Sequence, residues 1–385
     1  MYRNIIILGL VSLFTDISSE MIYPLVPLYL TGVLGASPAI LGVIEGIAES
    51  LASLLKVFSG RLSDKIKQRK PMAIAGYGFS AVGKVLFILA TSWVGILWAR
   101  VADRFGKGIR TAPRDALISE STSPDIRGKA FGLHRAMDTA GAVIGIFLAY
   151  WLFTHYQGDY ILVFWLAAIP AVLGVAMLFL ANEAKQHALN TVKKNLFSWS
   201  RLDPRLRYYI LISFLFNLGN SSNQFLLIRA NHAGFSAADV ILLYLLMNIT
   251  YFLISYPAGR LSDKIGRRSL LVAGYLLYGL VYLGFAQAGT HWTFILLFAV
   301  YGLYTGLTNG IEKAFLADLA PTDQRATVFG LHATVVGLAL LPASILAGLL
   351  WNFFGPQAPF LFGGILGILA AIAVWLGLRQ PHTVQ

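Results

Sequence analysis

The chain has 385 residues, 57% of them hydrophobic and 12% charged, with a mean hydropathy of +0.68. A soluble domain carries about a quarter of its residues as charges, so the composition excludes a water-soluble globule and calls for lipid as solvent. Zero cysteines exclude disulfides and thiolate metal sites, and the net charge of +12 sits in short turns between apolar runs rather than in a nucleic-acid-binding patch.

The apolar runs predict twelve helices. In the first half they fall at 5–31, 39–59, 72–91, 93–120, 129–153 and 160–182. In the second half they fall at 207–230, 237–258, 269–288, 292–318, 327–350 and 357–379. The first run is long enough to span a bilayer and stay there, so no cleavable signal is expected. Turns expected inside carry Arg3; Arg61, Lys65, Lys67, Arg69 and Lys70; Arg127 and Lys129; Arg260, Lys264, Arg267 and Arg268; Arg325; and Arg379. Turns near Gly35, Ser92, Gly158, Thr290 and Gly355 carry no Lys or Arg, and Arg229 is the one basic residue near an outside turn. The bias predicts a multi-pass protein of the cytoplasmic (inner) membrane with both termini cytoplasmic.

The polar stretch Glu183–Arg207 predicts a linker at 183–206, between an amino-terminal bundle at 1–182 and a carboxy-terminal bundle at 207–385. The halves are internal copies. Gly-Arg-Leu-Ser-Asp-Lys-Ile occurs at Gly60 and at Gly259, an offset of 199, and Phe131-Gly-Leu-His134 recurs as Phe329-Gly-Leu-His332 at 198. Two six-helix repeats in one hydrophobic chain are the pattern of a transporter. One chain supplies both, so a functional monomer is expected.

The strings Gly60-Arg-Leu-Ser-Asp64-Lys-Ile-Lys-Gln-Arg69-Lys70 and Gly259-Arg-Leu-Ser-Asp263-Lys-Ile-Gly266-Arg267-Arg268 resemble the cytoplasmic-loop signature of the major facilitator superfamily (MFS). The resemblance extends over length, span number, 6+6 symmetry and motif placement. It implies an all-α membrane protein with the MFS fold, two six-helix bundles related by a pseudo-two-fold axis. It implies gating roles for Gly60, Asp64, Arg69, Gly259, Asp263 and Arg267. The first copy departs from the pattern at Lys67, where the family has Gly. Helix 4 resembles the family's fourth-helix signature through Arg100 and Gly106, whereas the antiporter signature of helix 5 is replaced by His134-Arg-Ala-Met-Asp138-Thr-Ala-Gly141.

A charge at mid-bilayer costs roughly 2.5–3.5 kcal/mol on insertion scales. Helix 4 nevertheless carries Arg100, Asp103, Arg104, Lys107, Arg110 and Arg114. At about 100° per residue all six fall within an arc of about 120°. Its five cations facing lipid would cost on the order of 12–18 kcal/mol, so this face is expected to meet protein or water. Acidic partners stand on neighbouring helices: Asp16 and Glu20, Glu45 and Glu49, and Asp138 beside His134 and Arg135. Lys56, Lys84, Arg110 and Arg114 read as structural or interfacial. The second half offers neutral groups instead, a stripe of Asn217, Asn220, Ser221 and Gln224 with Asn248 and Asn309, and Glu312 reads as a local pair with Lys313. Tyr23, Tyr244, Tyr251 and Tyr256 are cavity or interface aromatics.

Proton-coupled transport by alternating access follows, with Asp16 and Asp138 as the favoured carriers; Na+ is the other coupling ion left open. One proton crossing about 100 mV supplies about 2.3 kcal/mol. Efflux of an amphipathic organic compound is the first substrate reading, implied by the resemblance. An organic anion drawn to the helix 4 cations is the second. A divalent metal ion at Asp16, Glu20, Met21, His134, Met137 and Asp138 is the third. No cofactor is expected, and no phosphate loop or His-Glu-x-x-His string points to ATP use or a membrane-embedded enzyme. A sensor would need a further soluble domain, and a passive channel would not need duplicated gating loops.

Overall fold

The computed structural model describes residues 2–66, 68–123, 126–183, 202–320 and 325–378. Among them every regular element is helical. The first unit holds α1 (Tyr2–Ile22), α2 (Leu25–Leu28), a π-helical turn (Tyr29–Val33), α3 (Pro38–Ile66), α4 (Arg69–Leu89), α5 (Trp93–Glu120), α6 (Arg127–His155) and α7 (Tyr160–Leu178). Then come α8 (Pro204–Gly219), α9 (Gln224–His232), α10 (Ala237–Ile265), α11 (Arg267–Gln287), α12 (His291–Leu319), α13 (Arg325–Phe354) and α14 (Ala358–Gly377). With α1, α2 and the π turn as one span and α8 with α9 as another, there are twelve spans.

Nine of the spans are long and apolar enough to cross a membrane on composition alone. The other three are α3, α5 and α8–α9. The first two are dense in charged residues and the third is interrupted, so each needs protein partners to sit at membrane depth. The outer face is apolar, with Phe147, Trp151, Trp165, Phe353 and Trp375 all exposed. That inversion of the soluble pattern is what a lipid surround selects.

The chain forms two compact units, 1–194 with 235–245, and 195–234 with 246–385. The first part of α10 therefore groups with the first unit, and the second unit begins twelve residues before the boundary expected at 207. Residues 184–201, which hold Lys185, Lys193, Lys194 and Arg201 of the linker, lie outside the described residues, as do Lys67, Arg379 and the side chains of Asp263 and Arg325.

Small residues set the close crossings of the first unit. A Cβ on Gly76 of α4 would come 2.8 Å from the Gly106 carbonyl oxygen of α5, and one on Gly106 would overlap the Gly76 carbonyl oxygen. Gly141 and Gly145 let α6 lie against the Leu13 and Ile17 carbonyls of α1 in the same way. In the second unit Gly219 and Gly363 do so for α8 and α14.

Three expectations are corrected. The repeated Gly-Arg-Leu-Ser-Asp-Lys-Ile strings are not turns: they are the last turns of α3 and α10, which run on to Ile66 and Ile265. The string contains no helix breaker after its Gly, so α3 runs on to Ile66 and the second copy reverses only at Gly266. Gly266 caps α11 at φ +88°, a conformation open chiefly to glycine. The first span is broken after Ile22, because Pro24 cannot donate to the helix ladder. The Asn217–Gln224 stripe is not continuous either: α8 ends at Gly219 and α9 starts at Gln224, and the intervening Asn220-Ser-Ser-Asn223 side chains compete for backbone groups.

Candidate functional site

The site grows from α5 and its neighbours in the first unit. Arg100 Nε donates to Glu45 Oε1 at 2.6 Å and its Nη2 to Oε2 at 2.7 Å. One turn on, Arg104 Nη2 meets Glu49 Oε1 at 2.9 Å, and Glu49 also lies 3.6 Å from Arg100. On the side toward α4, Lys84 Nζ pairs with Asp103 Oδ1 at 3.0 Å and donates to Ser19 Oγ at 3.1 Å. Tyr23, at the break after α1, lies with its ring 5.5 Å from the Arg100 guanidinium and 6.0 Å from that of Arg104. Tyr244, in the part of α10 that belongs to this unit, stacks on Tyr23 at 5.3 Å and donates to Glu20 Oε2 at 2.9 Å.

Nearer the basic end of the bundle the Asp16 and Asp138 carboxyls are neighbours, within electrostatic reach of each other across α1 and α6. Ser12 Oγ donates to Asp138 Oδ1 at 2.9 Å and Arg135 Nη1 to Oδ2 at 3.1 Å. Lys107 and Arg110 lie within electrostatic reach of Asp16. Arg110 donates to Ser80 Oγ and stands over the Tyr77 ring, while Arg114 is held by Asp115 at 2.8 Å. His134 is buried, and its Nε2 has no hydrogen-bond partner.

The expected charged face of helix 4 thus meets protein along most of its length. Arg100, Asp103, Arg104 and Arg110 are buried and Arg114 is half-buried. Lys107 differs: it is exposed and makes no ion pair with any described residue. Lys84 and Arg110, read from sequence as structural or interfacial, are engaged inside the unit. Among the described residues no three His, Asp or Glu side chains converge on a point where a metal ion could sit. Asp16, Glu20, His134 and Asp138 therefore do not form a cation cage.

In the second unit Asn217 Nδ2 donates to the Ser213 carbonyl at 2.8 Å, Asn220 ends α8, and the fully buried Gln224 amide has no side-chain hydrogen bond. Glu312 does not pair with Lys313; its Oε1 accepts from Tyr275 at 2.9 Å. Tyr256 is exposed and packs against Arg260.

At the repeated strings, Arg69 Nη2 meets Asp64 at 2.7 Å and Glu120 at 3.2 Å, and its Nη1 donates to Ser63 Oγ at 2.7 Å. Glu183 accepts from the Arg69 and Lys70 amides at 2.8 and 3.0 Å, closing the start of α4. In the second copy Arg267 pairs with Asp318 and donates to the Ala314 carbonyl. Gly60 faces Ala112 at the α3–α5 crossing, and Gly259 has open space around it.

The family model of the Major Facilitator Superfamily matches residues 8–250 and 209–385. The chain belongs to the major facilitator superfamily. It is 41% identical over 376 residues to an uncharacterised MFS-type transporter of Methanocaldococcus jannaschii, covering 96% of this chain and 94% of the relative. It is 27% identical over 372 residues to the multidrug resistance protein MdtH of Photorhabdus laumondii, covering 93% and 90%. Among solved structures, a nucleoside transporter, NupG, superposes with a TM-score of 0.80 at 14% identity, covering 97% of this chain and all of that one. A POT family transporter superposes at 0.81, also at 14% identity.

Within this MFS fold, sequence reasoning missed two anchoring acids, Glu120 and Asp318, which receive Arg69 and Arg267. The signal was available: Glu120 to Asp318 and Arg69 to Arg267 are both separations of 198, the offset of the later part of the repeat. It also missed Asn223, whose Oδ1 accepts from Tyr301 at 2.7 Å inside the break of span 7. No sequence signal marks that pairing, because it joins residues far apart in the chain.

Proposed function

We propose that this MFS transporter is a proton-coupled exporter of small amphipathic organic compounds, with the Asp16–Asp138 pair as its proton carrier. The observation that carries the reading is that Asp138 of α6 is held by Ser12, one turn before Asp16 on α1, which makes the two carboxyls neighbours. Two neighbouring ionised carboxylates repel, and a single proton shared by them removes the repulsion. Glu45, Glu49 and Asp103 of the α3–α5 layer are each ion-paired, whereas among the described residues the two carboxyls of Asp16 and Asp138 share the single ion pair that Arg135 makes to Asp138. The Asp16–Asp138 pair is therefore the place where a proton arriving or leaving changes the local charge. Around it Glu20, Arg104, Lys107, His134 and Arg135 shape the polar interior, and Asn217, Asn220 and Gln224 supply neutral groups in the second half. The Arg69 cluster with Asp64, the Arg267 cluster with Asp318, and the repeated strings with Gly60, Gly259 and Asp263 act as gates on the cytoplasmic side. The 27% identity to a multidrug resistance protein supports export of organic compounds.

A second reading, an organic anion as cargo, is favoured by Lys107, an exposed cation on a membrane-embedded face with no ion pair among the described residues. Purified protein in liposomes separates the two. Under an imposed pH gradient the cationic dye ethidium moves against its own gradient and a protonophore stops it. If ethidium is indifferent to the gradient while a permanently charged organic anion such as benzenesulfonate follows it in protein-containing but not in empty liposomes, the anion reading replaces the first.

A further inference from the structure

The duplicated frame inverts a charge. At the offset of 198, Tyr77 corresponds to Tyr275, His134 to His332, Arg114 to Glu312 and Asp115 to Lys313. The tyrosine and the histidine are retained in both halves, while the Arg-Asp pair becomes Glu-Lys. The consequences differ. In the first unit Arg114 takes two hydrogen bonds to Asp115 and one to Ser12, so its charge is matched on the spot. In the second unit no ion pair joins Glu312 to Lys313, whose side chain lies on the exposed side of α12.

The surroundings of Glu312 carry hydroxyls rather than cations. Tyr275 of α11 donates to it at 2.9 Å, and Tyr209 of α8 and Tyr304 of α12 lie within electrostatic reach. The ring of His332 of α13 lies parallel to Tyr209 at 6.1 Å, and its Nε2 has no hydrogen-bond partner. Among the described residues Lys313 is the one cation in reach of Glu312, and α10 packs on α12 through Met247, Thr250 and Ile254, none of them charged. Glu312 is half-buried, beside the exposed Asn309 and Gly310. A carboxylate at membrane depth without a matched cation is costly, and a proton is the smallest ligand that removes the charge.

We infer that Glu312 is a second proton-binding site, in the other unit from Asp16 and Asp138, and that each transport cycle carries a proton on it. The inference rests on the proton-coupled reading above and adds to it a site and a stoichiometry. The frame then holds a permanent charge at Arg114 and a switchable one at the equivalent place in the second half.

Infrared difference spectra of the full chain in lipid nanodiscs test the site directly. A C=O band of protonated carboxylic acid that titrates away as pH rises is expected in wild type; Glu312→Gln is expected to lose one component of it, while the component from Asp16 and Asp138 stays. Tyr275→Phe, which removes the hydrogen bond but keeps the acid, shifts the Glu312 component without abolishing it. In liposomes, with ethidium as cargo and pyranine reporting protons, Glu312→Gln moves one proton fewer per ethidium than wild type. No band assignable to Glu312 at any pH where the protein is folded, or an unchanged proton count in Glu312→Gln, overturns the inference. Wild-type ethidium export without any proton movement instead overturns the coupling reading, and the infrared titration tells that failure apart from a failure of the site.

Discussion

Arg100 holds Glu45 in a two-pronged grip, both hydrogen bonds under 3 Å, with side-chain exposures of 3% and 0%. A planar guanidinium meeting a carboxylate edge-on is the geometry in which a buried pair recovers most of its desolvation cost. Breaking one partner leaves the other ion stranded. Glu45→Gln is expected to lower stability by about 3–5 kcal/mol, read as a fall in the thermal unfolding midpoint of the purified protein. Replacing both residues with neutral ones should recover much of that loss. A single variant as stable as wild type would show that the pair carries little of the fold.

Asp16→Asn keeps the shape of the side chain and removes its ability to ionise. Uphill transport in liposomes is expected to fall to the level of empty vesicles, while the unfolding midpoint stays near that of wild type. Asp138→Asn should behave alike if the two acids share one proton as proposed. Normal uphill transport by the Asp16 variant would remove it from the coupling role.

Gly106 faces the Gly76 backbone across the α4–α5 crossing, where a methyl group would overlap a carbonyl oxygen. Gly106→Ala is expected to push the two helices apart and cost about 1–3 kcal/mol. The same change at Gly132, which has open space around it, should cost far less of the unfolding midpoint.

Gly266 turns the chain between α10 and α11 at φ +88°. Gly266→Ala forces a Cβ into the left-handed region, at about 1–2 kcal/mol. A chemical-unfolding midpoint unchanged by the substitution would mean the turn can relax to another conformation.

Twelve spans, a two-fold internal repeat and a charged, inward-facing α5 were legible in the chain because each is a property of periodicity or composition. Apolar runs of membrane length, basic residues gathered in alternate turns, and a string recurring at a constant separation need no knowledge of the folded packing. The spacing of Arg100, Arg104 and Arg110 on one helical face was enough to turn them away from lipid, since hydrocarbon offers a guanidinium no partner.

The partners themselves were decided by tertiary structure. That Arg100 takes Glu45, that Lys84 takes Asp103, that Asp16 lies against Asp138 and that Glu312 turns to Tyr275 rather than to the adjacent Lys313 depends on how helices cross. A crossing is set by close glycine approaches such as Gly76 on Gly106, between residues distant in the chain. The same holds for the extent of the helices. Local spacing marked the basic strings as turns, yet α3 continues to Ile66, where Ser63 and Asp64 in its last turns meet the Arg69 guanidinium from the next helix. Sequence thus determined which residues had to avoid lipid, and packing alone determined what each of them found instead.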